Sequence, residues 1–199
     1  MNFSEKYNCY WFTPKRTGTR SVKELLLVLE FQIADHTFYF NKKNQDSILI
    51  SNVRNPYSRL VSLFHLYLHH ISNFNMKFDE WIYKTLKNPL FCDSYQFYYH
   101  KDILKLDRPF NKFVRLENFE DDIKTIDFID FTNPVVSEQF EFNIKNNRYK
   151  TEFENQMNEK RKNWKEFYNE ELANFVHDNF IEQFELFEYH KNSWKNGTS

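Results

Sequence analysis

Strands that alternate with helical stretches predict an α/β fold, a small parallel sheet wrapped by many helices. Three observations carry that prediction. The run CYWFT at Cys9–Thr13 is aromatic and ends at Pro14, as a short strand does. The run SILISNV at Ser47–Val53 is nearly continuous in apolar character, as parallel strands covered on both faces are. The run KFVRL at Lys112–Leu116 repeats the pattern, and helical spacing follows each of the three.

Taken in order, the first strand is followed by a polar loop, Lys15–Thr19. From Ser21 the apolar residues Val22, Leu25, Leu26, Leu29 and Ile33 recur at helical spacing, so one face of a helix is buried. Thr37–Phe40 suits a short extended piece. After the second strand, Asn55 is placed to cap a helix with Pro56 at its first position, and Leu60, Val61, Phe64, Tyr67, Leu68 and Ile71 form its apolar side. Helices are expected at Phe78–Leu86, Ser94–Leu104, Glu152–Arg161 and Glu166–Phe187, with another starting over Glu117–Ile126 after the third strand. The strand content is thin for 199 residues, and the whole of 1–199 reads as one domain.

Composition excludes several function classes. Net charge is −1, with 27 basic against 28 acidic residues, so no global field favours nucleic acid or an anionic membrane. Any anion site must be built locally. Cys9 and Cys92 form no CxxC pair, which argues against a disulfide framework or a zinc site. His65, His69 and His70 lack a companion carboxylate or cysteine at ligand spacing, so no metal site is expected. No leader-like segment opens the chain and no apolar run is long enough to span a bilayer. The expectation is a protein of the reducing cytoplasm without a membrane span.

Two loops carry chemistry. In TPKRTGTRS, Thr13–Ser21, the loop leaves a strand and opens a helix, where backbone N–H groups converge and the helix terminus adds partial positive charge. Gly18 allows close backbone approach, Thr17, Thr19 and Ser21 bring hydroxyls, and Lys15 brings a mobile full charge. The ATPase pattern GxxxxGK[ST] is absent, because Lys15 leads the loop and no Gly-Lys pair exists. A leading lysine suits a donor whose leaving group is a phosphate, with no obligatory metal. In NVRNPYSRLVS, Asn52–Ser62, Arg54 ends a strand where its planar fork can grip a phosphate. Asn55, Ser58, Arg59, Ser62, His65 and His69 form one polar stripe on the following helix, which alone reads equally well as a solvent face. Trp11, Tyr98 and Tyr99 are candidates to stack on a base or sugar, although core packing is the better account of each in a chain with 20% aromatic residues.

PKRTGTRS followed by VRNPYSRLVS resembles the paired signature of sulfotransferases that use 3′-phosphoadenosine-5′-phosphosulfate (PAPS). The first block resembles their 5′-phosphosulfate loop. The second resembles their 3′-phosphate motif, with Arg54 and Ser62 eight positions apart. FVRLENF at Phe113–Phe119 resembles the R-x-E-N/D-L strand end of the carbohydrate, Golgi-type branch. WKEFY at Trp164–Tyr168 and FIEQFELFEY at Phe180–Tyr189 resemble that branch's C-terminal helices, with Glu188 where a glycine usually stands. The likeness spans residues 9 to 190.

The resemblance implies a P-loop-like sulfotransferase fold, PAPS as co-substrate with PAP as product, no metal requirement, and a hydroxyl acceptor on a glycan or glycolipid. It implies donor binding by Lys15, Arg16, Thr17, Gly18, Thr19, Arg20, Ser21, Arg54 and Ser62, with Arg148 and Tyr149, beside Asn143 and Lys145, as further candidates near the 3′-phosphate and adenine. Either Lys15 or Arg16 takes the place beside the leaving oxygen, and Pro-Lys, the commoner family pairing, favours Lys15. His36 occupies the region where the family places its base, and an imidazole with an ordinary pKa near 6.5 suits that task, with Glu24 and Glu30 as competitors. Glu24 is expected on the exposed side of its helix. A kinase on a related scaffold and a non-catalytic nucleotide-binding module are the alternatives.

Overall fold

The computed structural model describes residues 2–33, 46–70, 75–87, 109–145 and 163–195. The chain is an α/β protein in two units, Met1–Val53 with Asp107–Lys160, and Arg54–Leu106 with Arg161–Ser199. The helices expected at Ser94–Leu104 and Glu152–Arg161, the extended piece at Thr37–Phe40, and His36, Tyr98, Tyr99, Arg148 and Tyr149 lie outside the described residues.

The first unit is built on a five-stranded sheet: β1 (Asn2–Ser4), β2 (Cys9–Phe12), β3 (Gln32–Ile33), β4 (Ile48–Val53) and β5 (Lys112–Arg115), in the order β3-β1-β2-β4-β5. Strands β2, β4 and β5 run parallel, as their apolar runs predict, with Trp11 opposite Ile50 and Asn52 opposite Val114. The sheet as a whole is mixed and not parallel, because β1 pairs antiparallel with both β2 and β3. Three- and two-residue strands hold too few side chains for an alternation to be read, and a hairpin turn, not a crossover, joins β1 to β2. That turn closes with the Asn8 amide donating to the Glu5 carbonyl, at 3.2 Å.

Helix α1 (Thr19–Val28) follows β2 and buries Val22, Leu25 and Leu26. It ends earlier than its apolar spacing suggests. Glu30 takes a left-handed φ of 61°, the Glu30 amide donates to Leu27 and the Phe31 amide to Leu26. This is a Schellman stop, and its apolar partner Phe31 enters the core beside Leu26. Ile33, the last of the helical series, therefore becomes part of β3. Glu24 is exposed, as expected, and accepts from Gln139 at 3.2 Å.

After β5 come a 3₁₀ turn (Leu116–Asn118) and helix α4 (Phe119–Lys124), then α5 (Pro134–Lys145), which packs on α1. Val136 and Phe140 of α5 join Ile50, Val114 and Ile123 in the core of this unit.

The second unit is helical: α2 (Pro56–His70), α3 (Phe78–Lys87), a 3₁₀ turn (Trp164–Phe167), α6 (Glu170–Asn179) and α7 (Ile181–Leu186). Asn55 caps α2 as predicted, its Oδ1 accepting from the Tyr57 amide at 3.0 Å. The expected single helix over Glu166–Phe187 is instead three pieces. Asn163 and Glu166 form a capping box on the 3₁₀ turn, Tyr168 is extended, and Asn169 caps α6 through the Leu172 amide. The break at Tyr168 has a tertiary cause, since its hydroxyl donates to the Tyr57 carbonyl at 2.9 Å in a buried site. The core here gathers Leu60, Phe64, Trp81, Ile82, Val176 and Phe184.

Candidate functional site

The parallel strands set the direction in which the two loops leave the sheet. Phe12, the last residue of β2, lies opposite Ser51 of β4, so both chains leave their strands at the carboxyl edge. Ligands of open α/β sheets bind at that edge.

The β2–α1 loop is folded tightly on itself. Thr17 is fully buried, its Oγ1 donates to the Pro14 carbonyl at 2.6 Å, and the Thr19 hydroxyl reaches the same carbonyl at 2.8 Å. These two hydroxyls brace the turn. Arg16 has φ 69° and Gly18 φ 82°, with Thr17 between them on the ordinary side. Alternating hands of this kind turn N–H groups toward a concavity, and here the Thr17 amide is spent on the Pro14 carbonyl at 3.3 Å. Gly18 is favoured by its left-handed φ, and a Cβ there would stand 2.7 Å from Leu116 Cδ1, the end of a side chain that would have to move. Lys15 and Arg16 are half-buried, and Arg20 and Ser21 lie in the first turn of α1.

Two buried asparagines hold this loop, and both stand outside its own motif, Thr13–Ser21. Asn52 of β4 accepts from Trp11 Nε1 at 2.7 Å through Oδ1 and donates from Nδ2 to the Thr17 carbonyl at 3.1 Å. Asn2 of β1 donates to the Trp11 carbonyl at 2.9 Å and to the Thr13 hydroxyl at 3.3 Å. Trp11 is wholly buried, so it is a core and bracing residue. Asn52 had a signal in the sequence: a polar residue within an apolar central strand needs partners on both ends of its amide.

Arg54 follows β4 directly. Its Nε–H donates to Ser58 Oγ at 2.8 Å, and Ser58 donates in turn to the Asn55 carbonyl at 3.2 Å, so the guanidinium is oriented by the first turn of α2. From Asn55 to His65 the polar stripe of α2 is not a solvent face. Asn55, Ser58 and Arg59 are 4%, 2% and 2% exposed, and Ser62 and His65 are half-buried. Burial, with Arg54 as a second cation nearby, lowers the Arg59 guanidinium to about 9. Two cations so placed make this end of α2 attractive to an anion.

The C-terminal segment holds the same turn. Asn55 Nδ2 donates to Ser193 Oγ at 2.8 Å, and the Tyr57 hydroxyl reaches the carbonyls of Lys191 at 2.8 Å and Ala173 at 3.2 Å. Tyr168 of WKEFY donates to the Tyr57 carbonyl and Phe184 of the Phe180–Tyr189 segment packs on the Tyr57 ring, so both segments brace the first turn of α2.

No family model, curated protein or solved structure matches the chain.

Of the remaining sequence candidates, Arg115 is a structural residue. Its Nε and Nη2 donate to the two oxygens of Asp122 at 3.0 and 3.1 Å, and its amide donates to the same carboxylate at 2.8 Å. Asn143 and Lys145 lie in the last turn of α5. Among the described residues no group of three or more His, Cys, Asp or Glu is placed to hold a metal ion, and no helix is long and apolar enough to cross a membrane.

Proposed function

We propose that this protein is a PAPS-dependent O-sulfotransferase that transfers a sulfuryl group to a carbohydrate or glycolipid hydroxyl, on a sulfotransferase-type variant of the P-loop fold. One observation carries the reading. Two loops follow neighbouring parallel strands, one with alternating backbone hands behind Lys15, the other with Arg54 bonded to Ser58 on a buried helix turn, and both features support anion sites. A nucleotide with phosphate on both its 3′ and 5′ positions needs two such grips, and an ATP-like nucleotide needs one.

The donor supplies an activated S–O bond whose leaving group is the 5′-phosphate. Lys15 and the Gly18 amide hold that phosphate and balance the charge that grows on its bridging oxygen. Arg16 flanks Lys15 in this task. Arg54, with Ser62 one helical turn beyond Ser58, holds the 3′-phosphate and selects the bisphosphorylated nucleotide. His36 takes the proton of the acceptor hydroxyl, and Arg148 and Tyr149 complete the nucleotide site. The donor set is of nitrogen and hydroxyl groups, which fits an anionic nucleotide without a metal.

Adenosine 3′,5′-bisphosphate should raise the melting temperature, and ATP with Mg²⁺ should not. Lys15→Ala should lower turnover on the order of a hundredfold or more. Arg54→Ala should mainly weaken donor binding, by about tenfold. Equal stabilisation by both nucleotides, or mild and equal effects of both substitutions, would reject the assignment.

A further inference from the structure

The Trp11–Asn52–Thr17 chain has a directional consequence. An indole N–H can only donate, so at 2.7 Å it fixes Oδ1 as the atom of Asn52 that faces Trp11. Nδ2 must then face the other way, where it donates to the Thr17 carbonyl. The peptide between Thr17 and Gly18 is planar and trans, so its C=O and N–H point to opposite sides. Drawing the Thr17 carbonyl toward β4 therefore turns the Gly18 N–H away from the sheet. All three residues of the relay are fully buried, so water does not compete for these bonds.

We propose that Asn52 is a positioning residue: through the Thr17 carbonyl it aims the Gly18 amide at the anion bound by the β2–α1 loop. The idea that this anion is the 5′-phosphate of the donor rests on the function proposed above; the aiming of the amide does not. Trp11 serves by holding Asn52 in the one orientation that donates to the loop.

The chain has 2 glycines, Gly18 and Gly197, so protein labelled with ¹⁵N-glycine reports on Gly18 almost alone. Its amide signal is followed while sodium sulfate, and separately adenosine 3′,5′-bisphosphate, is added to the wild type, Asn52→Leu and Trp11→Phe. The Gly18 signal should move with both ligands in the wild type. In Asn52→Leu the midpoint should rise by about tenfold, the worth of one charge-assisted hydrogen bond. Adenosine 3′-monophosphate, which lacks the 5′ group, should bind both proteins alike, a separation that general loosening of the fold does not produce. Should Asn52→Leu fail to fold, Trp11→Phe decides by the same midpoint, since it leaves Asn52 free to turn over. Wild-type midpoints in the folded variants would overturn the role of Asn52 and leave the donor assignment standing. A Gly18 signal that moves with sulfate but not with the bisphosphate would reject the donor, and Asn52 would then be judged on sulfate. A signal that moves with neither rejects both.

Discussion

Gly18, Glu30 and Glu188 turn the backbone left-handed directly at helix ends, with different residues doing the work. Gly18 does so at no cost ahead of α1, with Leu116 against its open side. Glu30 and Glu188 do so after α1 and α7, at the site a Schellman stop reserves for glycine. The second case explains why glutamate at position 188 still ends the helix correctly: the Tyr189 amide donates to Phe184 at 2.9 Å, and the stop is made at the expense of a strained φ of 60°. Glu188→Gly should therefore stabilise the protein by about 1 kcal/mol in a urea melt. Glu30→Gly should stabilise as well, less the small worth of its exposed ion pair with Lys6 at 3.0 Å. Gly18→Ala should destabilise by about 1–3 kcal/mol, and by less in a Leu116→Ala background, where the contact with the new Cβ is gone.

At the scale of an element, the join of β5 to α4 depends on one carboxylate. Asp122 is 4% exposed and accepts from Arg115 and from Asn118 at 2.9 Å. Burial alone would raise its pKa, but the hydrogen bonds from Arg115 and Asn118 outweigh it and hold the carboxyl below its usual value. A carboxylate with a depressed folded pKa stabilises the protein above its unfolded pKa, near 3.9. That stability is fully present at neutral pH and is lost as pH falls through the folded value. Asp122→Asn should cost roughly 1–3 kcal/mol at pH 7 and should flatten the acid limb of a stability–pH profile. An unchanged acid limb would assign the pH dependence to other groups. The first turn of α2 follows the same logic, since Asn55 both caps the helix and ties it to Ser193.

At the scale of the whole chain, each unit has its own apolar cluster, and the two clusters share no residue. Ile50 stands in the first and Ile82 in the second, both nearly or fully buried. Truncation of either to alanine should cost about 2–5 kcal/mol, measured by denaturant unfolding. A cost near zero at one position would mean that its unit is not packed as described. The first unit carries the Lys15 loop, and the second carries Arg54 with its C-terminal supports.

Local signals were enough for the parallel strands β2, β4 and β5, for α1 through α3, and for the cap at Asn55, because each depends on near neighbours in the chain: an apolar run, a 3.6-residue period, an Asn-Pro start. The two motif loops were legible for the same reason, since their lysine, arginine, glycine and hydroxyl residues are contiguous. The antiparallel β1 and β3 were not, for strands of three and two residues hold too little pattern. The break at Tyr168 was decided by a hydroxyl bound to a carbonyl 111 residues away. Burial of the α2 stripe and the bracing of Thr17 by Asn52 were likewise decided in three dimensions. A polar side chain reads the same in a sequence whether it meets water or a distant partner, and only the fold brings that partner within hydrogen-bonding reach.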